Sequence, residues 1–190
     1  MASIVVTPST GVVLTAADVK AQCRIDAGDE DSYIEGFLIP AACAAFEQRT
    51  RCRLLTTTLR QYAQQWPQSG RLDLDWGVVS EVVDVRYLAP GGAEVVLPSS
   101  AYTTLADTAG MTGLHLLSGV SLPSLADHPA AVRINYKAGW ALPGSVPPAV
   151  KTWLLGYVAY LWGFRGDEDK APPPPDRLDI FIAEFIRATI

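Results

Sequence analysis

Apolar positions recur every three to four residues near both ends of this chain and every second residue through its middle, so helices are expected at the ends and strands between them. The first helix is predicted over Thr15 to Ile25. Thr15 stands at its N-cap, Asp18 at the capping-box position, and Leu14 is placed to staple onto Val19. Asp26-Ala27-Gly28-Asp29 is turn chemistry. Asp29, Glu30 and Asp31 then charge the first turn of a second helix that reaches about Thr50. Ile34, Phe37, Leu38, Ala41, Ala45 and Phe46 form its apolar stripe. Pro40 lies inside that stripe, removes one ladder bond at a cost of about 3 kcal/mol, and predicts a kink one turn earlier, near Gly36.

From Leu54 to Trp140 the period becomes two. Runs such as TTTLRQY, GRLDLD, EVVDVRYL, AEVVL, AYTTL, GLHLL and AVRINYKAG are rich in β-branched and aromatic residues, each bounded by Gly, Pro, Ser or Asp. Pro90-Gly91-Gly92 reads as the turn between two of these strands, and SGVSLPSLADHP as a surface loop. Pro147 and Pro148 suit the first turn of a third helix, where their missing N–H groups would have no partner anyway, and the helix runs to about Phe164. Val150, Trp153, Leu154, Tyr157, Leu161 and Phe164 share one face; Thr152, Gly156, Ala159 and Gly163 share the other. Neither face is strongly polar, so the helix is expected to be buried all round, with another backbone close against the small stripe. A neighbouring subunit is expected to cover part of it, which makes Trp153, Gly156, Tyr157, Ala159, Tyr160 and Gly163 the subunit-interface candidates.

Next comes GDEDKAPPPP, whose four prolines, Pro172 to Pro175, stiffen into an extended spacer of about 3.1 Å per residue. Asp176 then caps a last helix with Asp179 at the box position. Its face of Leu178, Phe181, Ile182, Phe185, Ile186 and Thr189 needs a docking surface, because a helix this short is marginal alone in water. Held off by the spacer, it is expected to dock on another chain. The fold class is therefore α+β: a helical bundle of two N-terminal helices, one long helix after the insert and one C-terminal helix, with an inserted small antiparallel β unit. Residues 1–53 and 141–166 form the helical core, 54–140 the β insertion, 167–175 the acidic and proline linker, and 176–190 the docking helix.

Composition narrows the function classes. The chain has 190 residues, 49% hydrophobic, with 15 basic and 20 acidic side chains, so it can build a real core and its net charge of -5 disfavours a dedicated nucleic-acid binder. Cys23, Cys43 and Cys52 make no C-x-x-C pair and are expected as free thiols in a reducing compartment. Lys20 is the first basic residue, so no charged region precedes an export signal, and the 13 uncharged residues from Thr152 to Phe164 fall short of the roughly 20 that span a bilayer. No membrane association is expected.

Site chemistry is thin. There is no G-x-S-x-G, H-E-x-x-H, P-loop or G-x-G-x-x-G. His115 sits in an alternating strand and His128 in a Pro-flanked loop, where structural roles are the simplest reading; an enzyme using either as a base is the third-ranked reading. The acidic strings lack EF-hand spacing, and Asp73 with Asp75 reads as the polar side of a strand. Cys43 and Cys52 fall on different sides of a helix and share no metal. No catalytic residue, metal or cofactor is assigned. Trp66, Trp76 and Trp140, near turns, support a competing reading: a carbohydrate-binding or lysin-accessory module.

The order of parts, LTAADVKAQCRIDAGDEDSYIEGFLIPAACAAFEQRTRCRLLTTTLRQY, then VRINYKAGW, then VPPAVKTWLLGYVAYLW, resembles the head-tail connector (adaptor) proteins of long-tailed bacteriophages, prophages and gene transfer agents. The resemblance spans roughly Leu14 to Phe164 and rests mainly on the LT…K…RID…DED opening and the Y-x-A-G-W…VP passage. It implies a structural virion protein of the neck, made in the bacterial host cytoplasm. It further implies a ring, typically of twelve copies, below the portal protein and above a stopper or tail-terminator protein, with DNA passing through the centre without sequence-specific binding. Leu178, Phe181, Ile182, Phe185, Ile186 and Thr189 then become portal-docking candidates. Three features depart from the family: Cys52 stands where a Gly often follows the second helix, Pro40 interrupts that helix, and the chain adds its proline spacer and C-terminal helix.

Overall fold

A computed structural model of the protein describes residues 2–25, 30–107, 110–163, 165 and 175–186. The architecture is mixed α+β. The chain divides into a β unit, Met1–Thr10 with Leu55–Trp140, and a helical unit, Gly11–Leu54 with Ala141–Ile190. The sequence reading placed residues 1–53 together in the helical part. Ala2–Thr7 instead forms a strand, β1, in the β unit. Ile4-Val5-Val6-Thr7 is a β-branched run closed by Pro8, a strand signature with no alternation because both sides of an edge strand meet solvent.

The β unit continues with β2 (Thr57–Ala63), β3 (Arg71–Asp73), β4 (Val79–Leu88), β5 (Glu94–Val96), β6 (Tyr102–Asp107), β7 (Gly110–Leu116) and β8 (Val132–Ala138). They pair antiparallel in the order β1-β2-β8-β4-β7-β3, with β5 beside β4 and β6 beside β7. Inward side chains at every second position, Leu59 on β2 and Ile134, Tyr136 and Ala138 on β8, meet Leu72, Val85 and Leu114 in one apolar core. Gln61 is the polar exception in this row. Its Nε2 donates to the Asp73 carbonyl (2.8 Å) and its Oε1 accepts from Asp75 N–H (2.9 Å), so a buried amide ties β2 to the end of β3 with both its polar atoms satisfied. The Pro90-Gly91-Gly92 turn forms as expected, with Gly92 at φ 83° and Ala89 N–H donating to Ala93 (2.9 Å). The loop read as surface lays Leu122 and Leu125 against the core.

Gly139 explains the glycine of the Y-x-A-G-W passage. Trp140 bridges Leu55 in parallel, which brings the Leu55 backbone across Gly139; a Cβ there would stand 2.3 Å from the Leu55 carbonyl carbon and oxygen. Gly139 is also held at φ 106°, outside the range side-chain-bearing residues adopt readily.

In the helical unit, α1 (Ala16–Cys23) opens with the expected capping box: Asp18 N–H donates to Thr15 Oγ1 (3.3 Å) and Thr15 N–H to Asp18 Oδ2 (2.8 Å). The Thr15 N–H first, and with it the Thr15 hydroxyl, which also donates to Asp18 Oδ2 (2.8 Å), hold the Asp18 carboxyl below its ordinary pKa. The second helix runs through α2 (Asp31–Tyr33), a π-helical stretch (Ile34–Leu38) and α3 (Ile39–Thr50). The disturbance predicted near Gly36 is this π turn. Ile39 N–H bonds back to the Ile34 carbonyl, and the widened turn gives the Pro40 ring room without breaking the helix. The extra residue rotates the stripe. Ile34, Leu38, Ala42 and Phe46 are buried, whereas Phe37, predicted to face the core, is 67% exposed and Ala41 is exposed as well. Arg51 ends α3 at φ 56°, and Thr50 Oγ1, bonded to Phe46 O (2.8 Å), accepts from Cys52 N–H (3.1 Å). Ala141 onward leads to α4 (Pro148–Gly163).

Candidate functional site

The α4 surface was the first place expected to meet a neighbour, and part of it is closed within this chain. Trp153 is fully buried, stacked on Tyr157 (centroids 5.0 Å, 15°) and edge-on to Phe46 (5.8 Å, 67°), with Nε1 donating to Asp179 (3.3 Å). It is a core residue of the helical unit rather than an interface residue: the larger apolar face of α4 packs inward, against α1 and α3. The small stripe is met at Gly156 within this chain, and by a side chain where a backbone was expected; among the described residues nothing lies within 4 Å of a Cβ at Gly163. A Cβ on Gly156 would stand 3.0 Å from both Leu178 methyls. Tyr157, Ala159 and Tyr160 stay half-buried and Gly163 exposed.

The C-terminal segment departs furthest from expectation. In place of an α-helix over 176–190 it forms 3-10 turns, Pro175–Phe181 and Ala183–Phe185. Ile182 and Phe185 are buried against the segment's own helical unit, and Leu178 half-buried. An ionic clamp fixes the near end: Arg49 pairs with Asp176 (2.6 Å) and with Asp179, and the Asp179 hydrogen bond outweighs desolvation in raising the Arg49 guanidinium pKa. Asp176 and Asp179, read as cap and box of a helix, are thus used tertiarily. Ile180, Phe181 and Ile186 remain exposed; Thr189 and linker residues 167–174 lie outside the described residues.

Polar clusters elsewhere are ion-paired. Across the outer face of β2, β8, β4 and β5, Arg60 Nε donates to Asn135 Oδ1 (2.7 Å), Asn135 Nδ2 to Asp84, Arg86 to Asp84 (2.8 Å), and Glu94 accepts from Arg86 (3.2 Å) and Arg133. Burial pushes the Asp84 carboxyl up, but the Arg86 and Asn135 hydrogen bonds and the guanidinium charges of Arg86 and Arg60 pull harder and hold it below the ordinary value. A depressed folded-state pKa gives stability that is whole above the unfolded value, about 3.9, and lost as pH falls through the folded value. Asp84→Asn is therefore expected to flatten the loss of stability below about pH 4, read from urea midpoints at stepped pH; an unchanged acid limb would show that Asp84 does not drive it.

The remaining candidates form no reactive group among the described residues. His115 sits on β7 opposite Arg71 and Thr103, while His128 Nδ1 accepts from Ala130 N–H (2.9 Å) in a turn. Trp66 and Trp76 lie partly buried on the β core, Trp66 donating to Pro123 O (3.0 Å), and Trp140 is half-buried, so all three contribute to packing. Burial, with the Glu47 charge adding to it, pushes the Cys43 thiol up to about 11, which keeps it neutral and unreactive near neutral pH. No group of three or more His, Cys, Asp or Glu side chains is placed to hold a metal, and no helix is long and apolar enough to cross a membrane, among the described residues.

The whole chain is similar in fold to chains of solved gene transfer agent particles. It aligns over 100% of its length with 97% of a chain in the virion of a native gene transfer agent particle, at a TM-score of 0.80 and 22% identity. With the same coverage it aligns with chains in the neck of a native particle computed with C12 symmetry (TM-score 0.78, 20% identity) and in the neck of an empty particle computed with C6 symmetry (0.75, 20%). No protein-family model and no curated protein sequence matches the chain.

Proposed function

We propose that this chain is a structural head-tail adaptor. Copies of it form a ring in the neck of a tailed phage or phage-like particle, made in the host cytoplasm. The ring joins the portal protein to the next connector, a stopper or tail-terminator protein, and lets DNA pass. The observation that carries the reading is the end-to-end likeness of fold to chains of particle necks. Their cyclic symmetry supports a ring, and C12 supports twelve copies. Electrostatics agree with a passive channel: affinity for DNA grows with the phosphates a protein neutralises, and here the net charge is -5, with Lys20, Arg49, Arg53, Arg71, Arg86, Arg133, Lys137 and Arg165 already paired to carboxylates. Producer cells lacking the chain are expected to accumulate DNA-filled heads without tails; normally tailed particles would sink the reading.

The surfaces for this role are what the fold leaves open: Tyr157, Ala159, Tyr160 and Gly163 of α4 toward neighbouring copies, and Phe181 with Ile186, joined by Ile180, toward the portal. Leu178, Ile182 and Phe185 anchor the segment that presents them. Deleting Asp176 to Ile190 would strip Ile182 and Phe185 from the helical core and confuse folding with docking. The clean variant is Ile180→Glu with Phe181→Glu, both on exposed side chains. It is expected to keep stability within about 1 kcal/mol while reducing tail attachment at least tenfold, counted by electron microscopy. Wild-type attachment would remove the segment from the portal contact.

A further inference from the structure

β1 ends the sheet, paired to β2 on one side and to no strand on the other among the described residues. Ile4, Val5 and Val6 are 48%, 45% and 46% exposed. Val5 is the informative one. It lies opposite Leu59, which is fully buried, so it points to the core side of the sheet and still shows nearly half its surface. A further strand alongside β1 would bring side-chain neighbours to it on that side. Natural proteins guard open edges with charge, Pro or distortion. Here the first charged residue of the chain is Asp18, and the register shift between Val5 and Thr7 leaves Ala2 to Val5 regular and unguarded.

Resting on the ring reading above, we propose that β1 is the docking edge for a second copy of this chain, whose β5 edge extends the sheet across the junction. A cyclic ring needs two different, complementary surfaces on each copy. Of the sheet's other open edges, β3 carries the Arg71–Asp73 ion pair and β6 presents Thr103 and Thr104. β5 alone presents apolar β-branched residues, Val95 (38% exposed) and Val96 (51%), and its one charge, Glu94, is already held by Arg86 and Arg133. Neither edge brings an unpaired charge to the junction, and each supplies the backbone donors and acceptors the other lacks.

The test places a photocrosslinking amino acid at Val5 of the full-length chain and irradiates particles whose necks contain it. A covalent dimer whose crosslinked peptide spans Glu94 to Val96 is the expected product. A neck-resident chain that crosslinks elsewhere, to another protein or not at all overturns the edge pairing and leaves the ring reading standing. Absence of the wild-type chain from necks overturns both. A second variant, Val5→Lys, is expected to keep the wild-type unfolding midpoint and lose at least tenfold in neck occupancy; occupancy at the wild-type level also overturns the pairing.

Discussion

Replacing Gly139 by alanine is expected to destabilise the β unit by about 4 kcal/mol, combining about 1–3 for a strained φ with a similar range for overpacking. The new methyl would stand 2.3 Å from the Leu55 carbonyl and 2.8 Å from Thr56 N. Both neighbours are backbone, so no rotamer change relieves the clash. The crossing that would have to move is itself bonded: Thr56 N–H donates to Trp140 O (3.1 Å) and Gly139 N–H to Val78 O (2.9 Å). Against a total stability of about 5–15 kcal/mol, this loss lowers the soluble yield of the whole chain. Urea unfolding followed by tryptophan fluorescence measures it. A loss under about 1 kcal/mol would mean that the Leu55–Trp140 crossing yields readily. Gly91→Ala is the control, since its Cβ meets nothing within 4 Å.

That glycine marks the line between what sequence carries and what it does not. The Thr15–Asp18 capping box, the Pro90-Gly91-Gly92 turn and the disturbance ahead of Pro40 were legible because each is decided within four residues. Gly139 was legible only as part of a motif; its cause is Leu55, far off in the chain and invisible until β2 and β8 pair. Two errors have a common origin. Helical periodicity shows that α4 has two faces without strong polarity, but not which is inward, so Trp153 was placed with Gly156 at a subunit contact. Capping and periodicity likewise made Asp176 to Ile190 a free-standing helix, because the partner that reshapes it, Arg49, lies in another element. β1 was missed for a simpler reason: an edge strand exposed on both sides lacks the alternation used to recognise strands, although its β-branched run before Pro8 was available as a signal.

Trp153→Ala decides whether the helical unit is built before or by assembly. The indole is enclosed by Phe46 and Tyr157, and its N–H reaches Asp179, so truncation opens a cavity and removes a donor from a carboxylate that Arg49 also holds. Truncation of a buried Trp costs about 3–5 kcal/mol. Because these partners lie in the same chain, the loss is expected at every protein concentration, including dilutions at which no ring persists, and the C-terminal segment should become cleavable by protease as its anchor loosens. An interface tryptophan would behave in the opposite way, leaving the dilute chain unaffected and weakening only association. Unfolding midpoints measured across a hundredfold dilution separate the two. A shift that vanishes on dilution would return Trp153 to the subunit contact, whereas a constant shift fixes assembly on what α4 and the C-terminal turns leave outside.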